Sequence, residues 1–170
     1  MALQYQRINS TANDYILKQI SLDTVIREVI HKYAKIMIRR KIRMHYEKTE
    51  ATVISDEKWL SFVLEQLLSN AVKYTPEGEI SIEVQEEPQH IWLEIRDTGI
   101  GIRSEDIPRV FEKGYTGFNG HEDKRSTGIG LYLCREVLQK LGHTIQVQSE
   151  VGEGTTVRAG FSKDAIDFRD

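Results

Sequence analysis

The chain has 170 residues, 39% hydrophobic and 29% charged, which suits one soluble globular domain with a core of ordinary size plus some extra chain. Its 23 basic and 26 acidic side chains leave a formal charge of −3, giving no electrostatic case for nucleic-acid binding. One cysteine, Cys134, excludes an internal disulfide framework and a multi-cysteine zinc site; no apolar run approaches the roughly 18 residues that cross a bilayer, and chemistry in a reducing compartment is expected.

Residues 3–18 are polar and only loosely periodic, and residues 1–20 read as a helical connector. Ser21 is expected to cap a helix over 22–38, with Asp23 in its first turn and Val25, Ile26, Val29, Ile30, Tyr33 and Met37 as its apolar stripe. The basic run Arg39-Arg40-Lys41 reads as a solvated helix end. Short strands are expected at 42–46 and 52–54. Ser55 or Asp56 then opens the clearest helix, 57–74. Its core face of Leu60, Val63, Leu64, Leu67, Leu68, Ala71 and Val72 keeps the i, i+3, i+4, i+7 pattern without a gap, and Pro76 and Gly78 stop it.

Residues 80–84 and 91–95 alternate as half-buried strands around a turn at Pro88. Ser104 is expected to cap a short helix over 104–110. Residues 112–127 show no periodicity, and a loop of that length in a compact domain tends to be a functional lid. A helix over 131–141, ended by Gly142, places Cys134 among Leu131, Leu133, Val137, Leu138 and Leu141, as a small buried apolar residue. Strands at 144–148 and 155–161 pair around Gly152 and Gly154, and a frayed tail fills 162–170. This order predicts an α+β two-layer sandwich: a mixed, mostly antiparallel sheet with helices on one face.

Three segments carry candidate chemistry. In Asp97-Thr-Gly-Ile-Gly-Ile102 a carboxylate ends a strand, and the glycines let the backbone turn beneath it; Asp-Thr-Gly is also an ordinary turn. In Ser126-Thr-Gly-Ile-Gly-Leu131 glycines precede a helix, where free N–H groups and the helix dipole favour phosphate. One run follows a strand and the other precedes a helix, so they are not copies of one structural unit. In Glu65–Thr75, residues Gln66, Asn70, Lys73 and Tyr74 share a stripe beside the core face, whether as a polar flank or as a set suited to magnesium, phosphate and a base ring.

Together these segments closely resemble the ATP-binding domain of bacterial sensor histidine kinases. EQLLSNAVKYT resembles the N-box, DTGIGI the first glycine box, RVFEKGYTG around Phe111 the phenylalanine box, STGIGLYLC the second glycine box, and Gly152-Glu-Gly-Thr155 the last. Five motifs stand in the family's order over about residues 20–161. DEKWLSFVLEQ and GYTGFNG also resemble the small membrane sensors that respond to peptide antibiotics.

The resemblance implies a Bergerat-type sandwich over 21–161, with residues 1–20 left from an upstream dimerisation helix. It implies ATP and Mg²⁺ as cofactors. Asp97 would accept a hydrogen bond from the adenine amino group, with Thr155 joining through water and Tyr74 packing on the ring. Asn70 would ligate magnesium and Lys73 would offer charge to phosphate. Gly128 and Gly130 would give N–H groups to the phosphates, and Lys113 or Arg125 would hold the γ-phosphate. Gly99, Gly101, Ile102, Phe111, Thr127, Ile129 and Leu131 would complete the nucleotide's surroundings.

Two departures from the pattern are informative. Related ATPases place a glutamate where Gln66 stands, and an amide lacks the basicity to activate water, so a transferase fits better than a hydrolase. Ser126 replaces a glycine common in relatives. None of His31, His45, His90, His121 and His143 has the context of a phosphoacceptor; all five read as surface or packing residues. The expected function is therefore the ATP-binding, phosphoryl-donating half of a sensor kinase. Its acceptor histidine would lie on a separate dimerisation domain, its partner would be a response regulator, and its parent a membrane-bound homodimer with this domain in the cytoplasm. A Bergerat-fold ATPase or serine-kinase-type regulator, or a module using nucleotide only as a switch, are the competing readings.

Overall fold

The computed structural model describes residues 15–113 and 130–163. In chain order its elements are β1 (Leu17–Ser21), α1 (Leu22–Arg39), β2 (Ile42–Tyr46), β3 (Thr52–Asp56), α2 (Glu57–Lys73), β4 (Gly78–Glu86) and β5 (His90–Asp97). A short 3₁₀ turn (Ile107–Arg109) follows, then α3 (Gly130–Lys140), β6 (Thr144–Glu150) and β7 (Gly154–Ser162).

Five strands form one sheet in the order β2-β4-β5-β7-β6. Only β2 and β4 run parallel; the other three pairings are antiparallel. The alternation read in the sequence sets the inner face: Ile80, Ile82, Ile91, Leu93 and Ile95 are buried, as are Ala159 and Phe161. The stripes of the three helices close over that face. Leu22, Val25 and Ile26 come from α1, Leu60, Val63, Leu64, Leu67 and Leu68 from α2, and Leu133, Val137 and Leu138 from α3. The outer face of the sheet is polar, with Glu94 pairing with Arg158, whose guanidinium lies 4.2 Å from the centre of the Trp92 ring. The α+β two-layer sandwich stands as expected.

The helix starts have clear causes. Ser21 Oγ accepts the Thr24 N–H at 3.4 Å, and Asp56 rather than Ser55 caps α2 by accepting the Trp59 N–H at 3.0 Å. At the other end of α2, the Arg40 guanidinium donates to the Val72 carbonyl at 2.9 Å, tying off its last turn.

Two expectations need correction. The helical reading of 3–18 fails where the chain is described: Leu17–Ser21 is a strand, paired antiparallel with β3 in a separate two-stranded sheet. Asp56 explains the change, because its second oxygen accepts the Ile16 N–H at 2.8 Å while Ile20 enters the core. The short helix expected over 104–110 shrinks to the 3₁₀ turn, which has no side-chain cap and carries Pro108 in its first turn. Only Val110 in that stretch is buried, so nothing anchors a longer amphipathic helix. The loop expected over 112–127 lies outside the described residues from 114 onward, as does the tail from 164.

Candidate nucleotide site

Asp97 ends β5 as the next step in the inward series Ile91, Leu93, Ile95. Its carboxylate therefore points to the helix side of the sheet and is only 7% exposed. Oδ1 accepts two backbone N–H groups, from Gly99 at 2.9 Å and from Thr155 at 3.2 Å, the latter being its register partner on β7. Burial pushes the carboxyl above its ordinary value; those two N–H groups and the nearby Thr75 hydroxyl pull it partly back. Among the described residues Oδ2 has no hydrogen-bond donor of good geometry, and the fully buried Thr75 hydroxyl likewise has no partner.

The turn after Asp97 is wedged between two other elements. Ile100 N–H donates to the Tyr74 carbonyl at 3.0 Å, and Gly152 N–H donates to the Ile100 carbonyl at 2.9 Å. A side chain on Gly99 would strike the Tyr74 carbonyl, and one on Gly101, at φ +77°, would strike the Glu150 carbonyl. These two glycines are needed for backbone against backbone, which answers what the first glycine run does: it docks the strand end onto α2 and onto the β6–β7 hairpin.

Ser149 and Thr75 are parts of the site that sequence reasoning missed. Ser149 Oγ accepts the Ile102 N–H at 2.7 Å, donates to the Gly154 carbonyl at 2.9 Å, and lies 2.8 Å from Thr155 Oγ1. Its single proton goes to Gly154, so Thr155 donates to Ser149 and keeps only acceptor capacity for anything else. No spacing rule singles out a small hydroxyl in such a junction, and the last glycine box begins at Gly152, three residues after Ser149.

The polar stripe of α2 is real. Gln66, Asn70, Lys73 and Tyr74 are all half-buried beside the fully covered Leu67 and Leu68. Lys73 Nζ stands 5.2 Å from the centre of the Tyr74 ring. Among the described residues the side-chain amides of Gln66 and Asn70 have no hydrogen-bond partner, which leaves two oxygens open to a ligand. A methyl group on Gly130, the first residue of α3, would stand 2.8 Å from Gln66 Oε1, so the stripe faces the start of that helix. Glu65 points the other way, to Lys32 of α1 at 3.0 Å.

The structure thus brings together Asp97, Gly99, Gly101, Ile102, Thr155 and Tyr74 at one end, and Gln66 and Gly130 at the other, with Asn70 and Lys73 on the helix between. Leu131 packs partly into the core. Phe111 is half-buried under Arg135 of α3, whose guanidinium is 5.5 Å from the ring centre. Lys113 is exposed. Arg125, Thr127, Gly128 and Ile129 lie outside the described residues.

A nucleotide fits this donor set. A lone carboxylate oxygen and an unpartnered buried hydroxyl can read a base with an amino group. The open amide oxygens are hard donors of the kind Mg²⁺ takes. Cys134 Sγ, 3.9 Å from the Val63 carbonyl and fully buried, is packing; burial pushes its thiol far up. His143 is also packed away, 3% exposed and edge-on to Phe161 at 4.7 Å.

Comparison with known proteins gives the same reading. Residues 55–165 match the family model described as histidine kinase-, DNA gyrase B-, and HSP90-like ATPase. The chain is 36% identical over 165 residues to the sensor histidine kinase YxdK of Bacillus subtilis (strain 168), covering 94% of this chain and 50% of that protein. It is 37% identical to the sensor protein BceS of the same organism, covering 94% and 48%. It is 36% identical to the sensor protein kinase GraS of Staphylococcus aureus (strain JH1), covering 94% and 46%. The chain therefore spans about half the length of the curated relatives it matches. The nucleotide-free catalytic domain of histidine kinase ThkA superposes with a TM-score of 0.76 at 21% identity, over 87% of this chain and 98% of that one. Full-length ShkA in complex with AMPPNP gives 0.81 at 21% identity, over 99% and 36%. Those two likenesses show a shared fold.

Proposed function

The chain belongs to the histidine kinase-, DNA gyrase B- and HSP90-like ATPase family, and on that footing we propose that it is the catalytic domain of a two-component sensor kinase, which binds magnesium-bound ATP and donates the γ-phosphoryl group to a histidine on a separate dimerisation domain. The observation that carries the reading is the division of labour at Asp97. One oxygen is held by two backbone N–H groups, and the other has no donor of good geometry among the described residues, with the Thr75 hydroxyl nearby.

In this reading Asp97 accepts the adenine amino group, Tyr74 packs on the ring, and Thr75 and Thr155 serve as hydroxyls beside it. Guanine presents a carbonyl at that position and would leave the carboxylate unpaired. Asn70 supplies an oxygen to magnesium, and Lys73 a positive charge to phosphate. The start of α3 at Gly130 offers its N–H, with Gly128 before it, and Lys113 or Arg125 contacts the terminal phosphate. ATP brings the transferable phosphoryl group; the residues contribute position and charge. Gln66 sits where a base would activate water, yet has none of the basicity, which preserves the phosphoryl group for transfer. A response regulator as partner, a membrane-bound homodimeric parent and a cytoplasmic location for this domain follow from the same reading.

Calorimetry with Mg·ATP and Mg·GTP tests it. The expected result is ATP binding of about −5 to −8 kcal/mol and far weaker GTP binding. Equal affinity for both, or none for either, refutes the assignment of Asp97. The chain alone should not label itself: His31 and His45 are exposed without a neighbouring acceptor motif, His90 stacks on Trp92 at 5.5 Å, His143 is buried, and His121, outside the described residues, has no proline after its Glu122. Acid-labile phosphate on the isolated chain after incubation with labelled ATP would contradict this.

A further inference from the structure

The outer face of α1 and the turn into β2 carry a charge that the proposed nucleotide site does not use. Residues 27–43 hold seven lysines and arginines against one acidic side chain, a formal +6 in a chain of net −3. Three of the seven are neutralised by neighbours: Arg27 by Asp23, Lys32 by Glu65 and Arg43 by Glu79. Arg40 is partly spent on the Val72 carbonyl. The side chains of Lys35, Arg39 and Lys41 are exposed and have no ion pair or hydrogen bond among the described residues. Ile38 stands among them, 76% exposed.

A helix dipole accounts for a cation or two in the last turn. It does not account for Lys41. That residue closes α1 at φ +59°, a left-handed position where glycine is the low-strain choice, so a lysine there keeps its charge at a conformational cost. Nor does it account for a bare isoleucine in the middle of the cluster.

We infer that this face docks on the surface of an anionic phospholipid bilayer, with Lys35, Arg39, Arg40 and Lys41 over the headgroups and Ile38 entering the interface. Charge complementarity and the exposed isoleucine favour lipid over an acidic protein, because protein interfaces select against lysine and favour aromatic anchors, and this face has none. Docking would leave the nucleotide site open, since Glu65 faces α1 while the neighbouring Gln66 faces Gly130 of α3.

The test is co-sedimentation of the 170-residue chain with phosphatidylcholine vesicles, with and without phosphatidylglycerol, at low and high salt. Binding is expected only with phosphatidylglycerol, and salt should release it. Each basic side chain removed should lower partitioning about fivefold. The triple variant Lys35→Glu, Arg39→Glu, Lys41→Glu should therefore lose binding by at least a hundredfold, with its thermal midpoint and Mg·ATP affinity unchanged. Ile38→Ser should weaken vesicle binding and leave binding to soluble polyglutamate as it was. No partitioning at low salt, a triple variant that binds like the parent, or a preference for polyglutamate over vesicles with no role for Ile38 would each overturn the inference.

Discussion

Replacing Asp97 by asparagine separates recognition from folding. The two side chains have the same shape. Asparagine's amide oxygen can keep both bonds that Oδ1 now accepts, from Gly99 at 2.9 Å and Thr155 at 3.2 Å. What changes is the other atom, an acceptor that becomes an NH₂ donor facing the amino group of adenine. A hydrogen bond to a charged group is worth about 1.5–3 kcal/mol, so ATP affinity should fall roughly 10- to 150-fold. Stability should move the opposite way. Burial raises the Asp97 carboxyl above its ordinary 3.8, so protonation of this group favours folding. That contribution is full below the unfolded value and is lost as pH rises through the folded one, which makes ionised Asp97 a cost at neutral pH. Asparagine carries no such cost. Calorimetry and thermal melting on the same two samples read both effects. A variant that binds ATP within threefold of the parent would remove Asp97 from base recognition. One that melts several degrees lower would show that the carboxylate holds the turn together rather than reading a ligand.

Gln66→Glu puts a base where the amide now stands; Mg·ATP hydrolysis, followed by phosphate release, should rise by up to about a hundredfold. Gly101→Ala should lower stability by about 2 kcal/mol or more, because φ is +77° and the methyl group meets the Glu150 carbonyl; urea denaturation measures it. His143 supplies a pH dependence of known sign. Burial lowers its value from 6.5 to about 4, so below pH 6.5 the unfolded chain takes up a proton that the folded chain refuses. Stability should therefore fall by about 3 kcal/mol between those two values, and His143→Leu should flatten the slope in a denaturation series.

Much of this molecule was legible because its signals are periodic. The gapless stripe of α2 and the alternation of β5 placed the helix and strand correctly, and continuing the alternation past Ile95 puts Asp97 on the buried side without any structure. Where partners far along the chain decide the outcome, the sequence misleads. Residues 3–18 look like a weak helical connector, yet strand pairing with β3 and the Asp56 carboxylate make Leu17–Ser21 extended. Ser104 looked like a cap, but a cap needs a helix with an apolar face behind it, and only Val110 provides one. The site divides the same way. Asn70, Tyr74 and Asp97 stand out by type and spacing. Ser149 and Thr75 act through neighbours that only the folded chain supplies, and Gly99 and Gly101 turn out to serve backbone packing.

The same Asp56 carboxylate has a practical meaning for anyone trimming this protein. A boundary placed at residue 55, where the family match starts, would discard α1 and β2 and with them Leu22, Val25, Ile26 and Ile42 from the shared interior. Starting at residue 22 instead would strip β3 of the strand it pairs with among the described residues and leave the buried Asp56 side chain without the Ile16 N–H. A piece that is to keep this strand pair and that N–H donor therefore starts at or before residue 16, well upstream of the matched segment.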